Sequence, residues 1–351
     1  MVIKKVLVVS LAIACVLSIS GCGTMELPAA NSATGADTAE NEMTIALEQG
    51  MPDIQQISRV VIEKAESIRS IEQNAVLIYD MTLKNGEHMM SMIAQAEMTS
   101  QVTKNPYVVK SVTRVNMANT SEEEVVSDKS SDPGSNEITV TSTMYAEKTG
   151  DKQLTIYTRN DAVAADWTKM SLVMPEQEYE LFDVNLFKLI ESGEKEAVLE
   201  PERESVDGKE CYVIKTVLDY DTSSVEVLSL LQQMGMPEEV VTGDVLNDIR
   251  INTIMWIDTE TGLPVMYEQD LTEAGNKLLN SLFGSQDLSS QGDTGENREA
   301  SAIPADYQFE FGKYTATTRF TGFNTIDRII IPEEARNARE LNDYEEKSAE
   351  E

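Results

Sequence analysis

Histidine is almost missing from this chain: His88 is the one imidazole among 351 residues. A Ser-His-Asp triad would have to rest on it, and no Gly-x-Ser-x-Gly elbow accompanies it. Histidine-rich zinc sites and facial triads need at least two imidazoles and are excluded. His88 follows Asn85-Gly86, a hairpin signal, and is read as a solvated or locally hydrogen-bonded side chain. The nucleotide motifs Gly-x-x-x-x-Gly-Lys and Gly-x-Gly-x-x-Gly are absent as well. Basic residues are scarce, 28 Lys and Arg against 61 Asp and Glu, for a formal net charge of −33. Such a surface repels nucleic acid and anionic headgroups, so no nucleic-acid partner is expected. The densest acidic pairs, Asp219-Tyr220-Asp221 and Asp258-Thr259-Glu260, lack the twelve-residue calcium-loop spacing. No metal, no cofactor and no enzymatic activity are expected.

What is present begins at the N-terminus. Lys4 and Lys5 form a cationic start, Val6 to Ile19 an apolar run too short for a stable span, and Ile19-Ser20-Gly21-Cys22 follows. The last four residues resemble the bacterial lipobox. That resemblance implies export, diacylglyceryl transfer to the Cys22 sulfur and cleavage before Cys22. Residues 1–21 are then a signal peptide, and the protein is held by its acylated Cys22 on the extracytoplasmic face of a cell membrane. A diacylglyceryl group buries methylenes at roughly 0.8 kcal/mol each, enough for stable anchoring. Cleavage removes Lys4 and Lys5 and no acidic residue, so the mature chain is more acidic still.

Cysteine is the next scarcity. The chain has three: Cys15 leaves with the signal and Cys22 becomes a thioether. Cys211 alone remains, so no intrachain disulfide forms and the core must hold the fold. Cys211 alternates with apolar positions and reads as a buried structural thiol.

Residues 22–50 are rich in Ala, Thr, Asn, Glu and Gly and read as a flexible tether, with a reach of roughly 30 Å as a random coil. Residues 51–331 form the folded domain, and 332–351 an acidic, helix-compatible tail. Two polar stretches, 118–137 and 284–303, read as long disordered loops. Three helices are expected. Asp53 caps one that runs to about Ser70 with Ile54, Ile57, Val61 and Ile68 on a stripe. Glu178 to Glu191 places Phe182, Leu186, Leu189 and Ile190 together. Ser223-Ser224-Val225-Glu226 opens the third, with Leu228, Leu231 and Met234, ended by Gly235. Val240 to Leu246 adds a short fourth.

Strand signals fill the rest: 75–83, 88–102, 107–117, 137–147, 153–158, 198–205, 209–219, 249–257, 264–271 and the alternation of Tyr307, Phe309 and Phe311. Thr149-Gly150-Asp151, Asp207-Gly208 and Asp258 to Gly262 mark turns between them. This is an α+β fold built on one large antiparallel sheet with helices gathered on one face, and no parallel βαβ rhythm. Alternation predicts one covered apolar face and one wet face. Tyr212, Ile214 and Leu218 oppose Lys215 and Asp219; Ile249, Ile251, Met255 and Ile257 oppose Arg250 and Asn252.

Trp256 to Val265, the Asn105-Pro106-Tyr107 break and the Val206 to Tyr212 hairpin resemble the LolA/LppX-like lipoprotein superfamily. The resemblance covers roughly residues 51–330. It implies a half-barrel whose concave face is covered by helices. In some members the space between holds acyl chains; in others the fold is an interaction or sensor module. This chain departs from the carriers in its own lipid anchor and its long acidic loops.

The chain has seventeen methionines, and Met89, Met90, Met92, Met98, Met117, Met144, Met170 and Met174 fall mostly in predicted strands, where Met adapts to irregular apolar ligands but also fills cores. The expected cavity lining is Met92, Met144, Phe182, Leu186, Leu228, Leu231, Met255 and Trp256. The reading is of a Gram-positive cell-envelope lipoprotein that binds a lipid-like or other apolar molecule non-covalently. The alternative is a lipoprotein that docks an envelope protein and carries no lipid.

Overall fold

The computed structural model describes residues 52–85, 88–119, 137–150, 153–161, 164–173, 181–182, 184–220, 249–277 and 307–340. Cys22, the 223–235 stretch with Leu228 and Leu231, the 240–246 segment and the 284–303 stretch lie outside these residues.

The first helix, α1 (Ile54–Glu66), starts where its cap dictates. Asp53 Oδ1 accepts the Gln56 N–H at 2.8 Å, and Gln56 Oε1 accepts the Asp53 N–H at 3.0 Å. This reciprocal box satisfies donors that a helix start leaves open. The helix is shorter than its periodicity predicts. It ends at Glu66, and Ser70 already belongs to the first strand. Pairing on both sides outweighs the helical pattern there: Ser70 and Ile71 register with Thr103 and Val102, and Ile71 also with Phe323.

The strands follow as β1 (Ser70–Asn85), β2 (His88–Thr103), β3 (Val108–Asn119), β4 (Glu137–Gly150), β5 (Gln153–Asn160) and β6 (Ala164–Val173). After α2 (Val184–Ser192) come β7 (Ala197–Leu199), β8 (Glu204–Val206), β9 (Lys209–Tyr220), β10 (Ile249–Asp258), β11 (Pro264–Asp270) and β12 (Tyr307–Phe323). A four-residue helix, α3 (Glu333–Arg336), precedes β13 (Arg339–Glu340). All pair into one open, curved sheet of 13 strands in the order β13-β6-β5-β4-β3-β2-β1-β12-β11-β10-β9-β7, with β8 beside β9. The last long strand, β12, thus closes against the first. Their register shifts at Glu72/Gln73 and at Asp80/Met81, and an extra residue in one strand bends and twists the pair.

Several expectations need correction. β6 was not anticipated. The predicted 198–205 strand is broken into β7 and β8 around Pro201, whose missing N–H cannot join a ladder. Phe182 precedes α2 and is not part of it. The tail after Pro332 forms only α3 before entering the sheet as β13, which pairs with β6 in parallel, the exception in an otherwise antiparallel arrangement.

One face of the sheet carries α1 and α2. Ile57, Val61 and Ala65 of α1 and Leu186, Phe187 and Ile190 of α2 share a cluster with Ile71, Val109, Met144, Ile214 and Ile257 of the strands. At about 1.5–3 kcal/mol for each fully buried large side chain, this cluster is a main source of stability among the described residues, which hold no disulfide. The opposite face holds two smaller clusters. Ile329, Ile331 and Ala335 of the C-terminal segment pack with Val108, Tyr145 and Tyr157. Val206, Cys211, Val213, Trp256, Val265 and Met266 form the other. Both outer strands are very short, β7 of three residues and β13 of two, which limits the edge open to foreign strands.

Candidate functional site

The helix-bearing face is longer than its two helices. A second apolar cluster lies further along the same strands. Ala75, Leu77, Tyr79 and Met81 of β1 join Ala94, Ala96 and Met98 of β2, Val115 and Met117 of β3, Ile251 of β10 and Phe311, Tyr314 and Ala316 of β12. Neither α1 nor α2 contributes to it. Its described members outside the strands are Leu271 and, from the helical turn over residues 272–277 that follows it, Ala274. Ala75, Ala94, Ala96 and Ala316 are small, and in the ladders Ala96 and Ala316 both stand opposite Leu77, while Ala94 stands opposite Tyr79. Tyr79, Phe311 and Tyr314 form edge and tilted ring contacts at 5.1–6.0 Å between centroids.

Between the two clusters runs a polar belt. On β1, Gln73 alternates with Ile71 of the first cluster and Ala75 of the second, so its side chain leaves the sheet on their side. Ser100 lies likewise between Val102 and Met98, Thr253 between Met255 and Ile251, and Ser111 and Thr113 between Val109 and Val115. Register aligns them: Gln73 opposes Ser100, and Ser100 opposes Ser111. Thr113 opposes Ser142 of β4, and Thr253 opposes Thr216 of β9. Gln73, Ser100, Ser111, Thr113, Thr216 and Thr253 are all buried, between 2% and 7% exposed. Some hydroxyls are spent. Ser100 Oγ donates to Ser111 Oγ at 3.2 Å, Thr216 Oγ1 donates to the Glu196 carbonyl at 2.8 Å, and Thr253 Oγ1 reaches the Ile251 carbonyl at 3.4 Å. The Gln73 amide and the Thr113 hydroxyl have no hydrogen bond among the described residues.

Alternation predicts a covered apolar face, and within that face the belt is a buried polar stretch. The signal was present in the strands as polar residues set between apolar ones at period two, as in Met98-x-Ser100-x-Val102. It gains meaning only when registers line the strands up.

Four of the expected lining residues meet. Met144, Phe182, Leu186 and Met255 belong to the helix-packed cluster. Met92 packs at the edge of the second cluster. Trp256 joins neither. Adjacent strand residues point to opposite faces, so Met255 and Trp256 part company. The Trp256 indole N–H donates to Glu204 Oε2 at 2.8 Å on the other side of the sheet.

No charged residue is among the buried belt residues described. Among the described residues the one buried carboxylate is Asp258, and the β10–β11 turn consumes it. Its Oδ1 accepts the Glu260 N–H and its Oδ2 the Thr261 hydroxyl, both at 2.9 Å. Gly262 closes that turn at φ 70°. Cys211 is buried, and burial, then the nearby Asp258 charge, push its thiol up to about 11. It is an inert thiol. Tyr212 has a buried hydroxyl with no partner among the described residues, and desolvation raises its pKa.

No protein-family model matches the chain, and no curated protein does. Similar solved structures include the following three. One is a DUF1329 family protein from Desulfovibrio piger, 10% identical, covering 79% of this chain and 93% of that one, with a TM-score of 0.25. Another is a beta-barrel-like protein of the domain of unknown function DUF1849 from Brucella abortus, 11% identical, covering 74% and 100%, TM-score 0.24. The third is described as an outer membrane lipoprotein-sorting protein domain from Vibrio parahaemolyticus, 7% identical, covering 81% and 98%, TM-score 0.20. The functional reading is carried by the chain's own side chains.

Proposed function

We propose that the protein is an extracytoplasmic lipoprotein, anchored through acylated Cys22, whose helix-bearing face is the concave side of a half-barrel and holds a lipid-like molecule non-covalently. The reading is of binding without chemistry. The observation that carries it is the second apolar cluster. The apolar face continues past α1 and α2, and where it does, it is floored by small side chains, Ala75, Ala94, Ala96 and Ala316, set among Met92, Met98 and Met117. The four alanines are buried, between 1% and 9% exposed, and methionines adapt to irregular hydrocarbon. Burial of that hydrocarbon would supply roughly 25 cal/mol per Å².

A docking module would instead need a contiguous exposed apolar patch of several hundred Å². The large exposed apolar side chains among the described residues are Ile78, Ile93, Ile138, Val173, Val198 and Ile330. They are spread over β1, β2, β4, β6, β7 and the C-terminal segment. Ile78 and Ile93 are diagonal neighbours across the β1–β2 ladder, a pair well short of the several hundred Å² that a docking patch needs.

The test is mass spectrometry of an organic extract of the full chain purified from its native membrane. Stoichiometric lipid is expected. A blank extract from folded protein would leave the docking reading in its place.

A further inference from the structure

Resting on that reading, we infer that the ligand is an uncharged amphiphile, with hydrocarbon on the second apolar cluster and an ester, amide or hydroxyl group hydrogen-bonded at the Gln73–Thr113 part of the belt. A site for bare hydrocarbon would gain nothing from hydroxyls and an amide at its middle. Gln73 is 7% exposed and Thr113 6% exposed, and neither side chain has a partner among the described residues. A primary amide offers two donors and an acceptor with two lone pairs. Ser111 accepts from Ser100, which leaves its own proton unspent. These groups project between the two apolar clusters, where a carbonyl or hydroxyl attached to a chain would lie.

The charge of the ligand follows from what surrounds the belt. No Lys or Arg is buried among the described residues, and the buried carboxylate, Asp258, is already committed in its turn. An ionic headgroup drawn in at this depth would lack a counter-charge, which costs far more than a missing hydrogen bond. A formal charge of −33 adds to the penalty for anions. The remaining class is neutral and hydrogen-bonding.

Three probes separate the outcomes: diphenylhexatriene, a bare hydrocarbon; monooleoylglycerol, neutral with an ester and hydroxyls; and oleate, the same chain with a carboxylate. The full chain, stripped of co-purifying lipid on a hydrophobic resin, is titrated with diphenylhexatriene by fluorescence, which is then displaced by the other two. Monooleoylglycerol is expected to displace at a midpoint at least tenfold below that of oleate. Gln73→Leu is expected to raise the monooleoylglycerol midpoint about tenfold, the equivalent of one good hydrogen bond, and to leave diphenylhexatriene affinity unchanged. Thr113→Val should raise it about threefold. Should Gln73→Leu fold poorly, Thr113→Val decides by the same displacement. Equal midpoints for the two oleoyl probes, or variants that leave the monooleoylglycerol midpoint in place, overturn the inference while diphenylhexatriene binding keeps the broader reading. Failure of all three probes to bind removes both.

Discussion

The side-chain amide of Asn276 holds both main-chain groups of Phe311. Asn276 Nδ2 donates to the Phe311 carbonyl at 3.0 Å, and Asn276 Oδ1 accepts the Phe311 N–H at 2.7 Å. The last registered pair of β11 and β12 is Asp270 with Thr315. Beyond it, side chains take over the ladder. The Thr272 hydroxyl accepts the Tyr314 N–H at 3.0 Å, the Leu271 N–H donates to the Tyr314 carbonyl at 2.8 Å, and Asn276 serves Phe311. The helical turn 272–277 thus acts as a strand partner along the second apolar cluster, and Gly275 lets it come close. A Cβ at Gly275 would lie 2.8 Å from the Phe311 ring and 2.9 Å from that of Tyr314.

Asn276→Ala is therefore expected to destabilise the protein by about 2 kcal/mol, since it leaves a main-chain donor and acceptor of Phe311 unpaired at a half-buried site. Asn276→Asp keeps the acceptor alone and should unfold at a lower denaturant concentration than the native chain. Urea unfolding followed by circular dichroism measures both. An unchanged midpoint for Asn276→Ala would show that the turn does not hold β12.

Two glycines in left-handed turns should respond differently to the same substitution. Gly208 has φ 81° with nothing near its missing Cβ; Gly262 has φ 70°, and a Cβ there would lie 2.5 Å from Val60 Cγ1 of α1. Gly208→Ala meets backbone strain alone, about 1 kcal/mol. Gly262→Ala adds the collision with α1, for about 3 kcal/mol in all. Thermal unfolding of the two variants side by side checks the order.

Alkali should weaken the fold through two groups. Burial, then a hydrogen bond to Glu147, raises Tyr157 from its ordinary 10 to about 12. Burial, then Asp258, raises Cys211 from 9 to about 11. Each folded-state pKa lies above the unfolded value, so each group's contribution is complete below the unfolded pKa and fades as pH rises through the folded one. Stability is expected to fall from about pH 9 and faster between pH 10 and 12. The Tyr157 hydroxyl donates to Glu147 Oε1 at 2.8 Å, and Arg336 grips the same carboxylate at 2.7 and 3.0 Å. Tyr157→Phe should flatten the upper part of the profile. Denaturant midpoints at stepped pH give the curve, and a thiol reagent at pH 8 should label Cys211 only after unfolding.

Cys22→Ala should move the protein from the membrane fraction to the medium and abolish labelling by radioactive fatty acid. Continued sedimentation with membranes would mean that something other than the Cys22 acyl group holds it there.

Much of the sheet was legible because its signals are local. The Asp207-Gly208 and Asp258 to Gly262 turns were recognised from the residues that close them, and the β9–β10 alternation from period two. Residues with competing signals were not. Ile68 fits the helical stripe of α1, yet the chain leaves the helix at Ser67 to pair on both sides. β6 lacked a clear pattern because its partners, β5 and the distant β13, determine it. Trp256 was grouped with Met255 because both are large and apolar, although strand alternation sends them to different faces.

Amino-acid order alone determined the acidic composition, the lone cysteine of the described residues, the capped start of α1 and the turns, since each depends on composition or on residues within four positions of one another. Only the tertiary structure decided that Gln73, Ser100, Ser111 and Thr113 form one belt and that Asn276 completes a strand at Phe311. Those relationships depend on register between segments up to about thirty-five residues apart. Register is set by the whole sheet's burial and hydrogen bonding, and no window of sequence contains it.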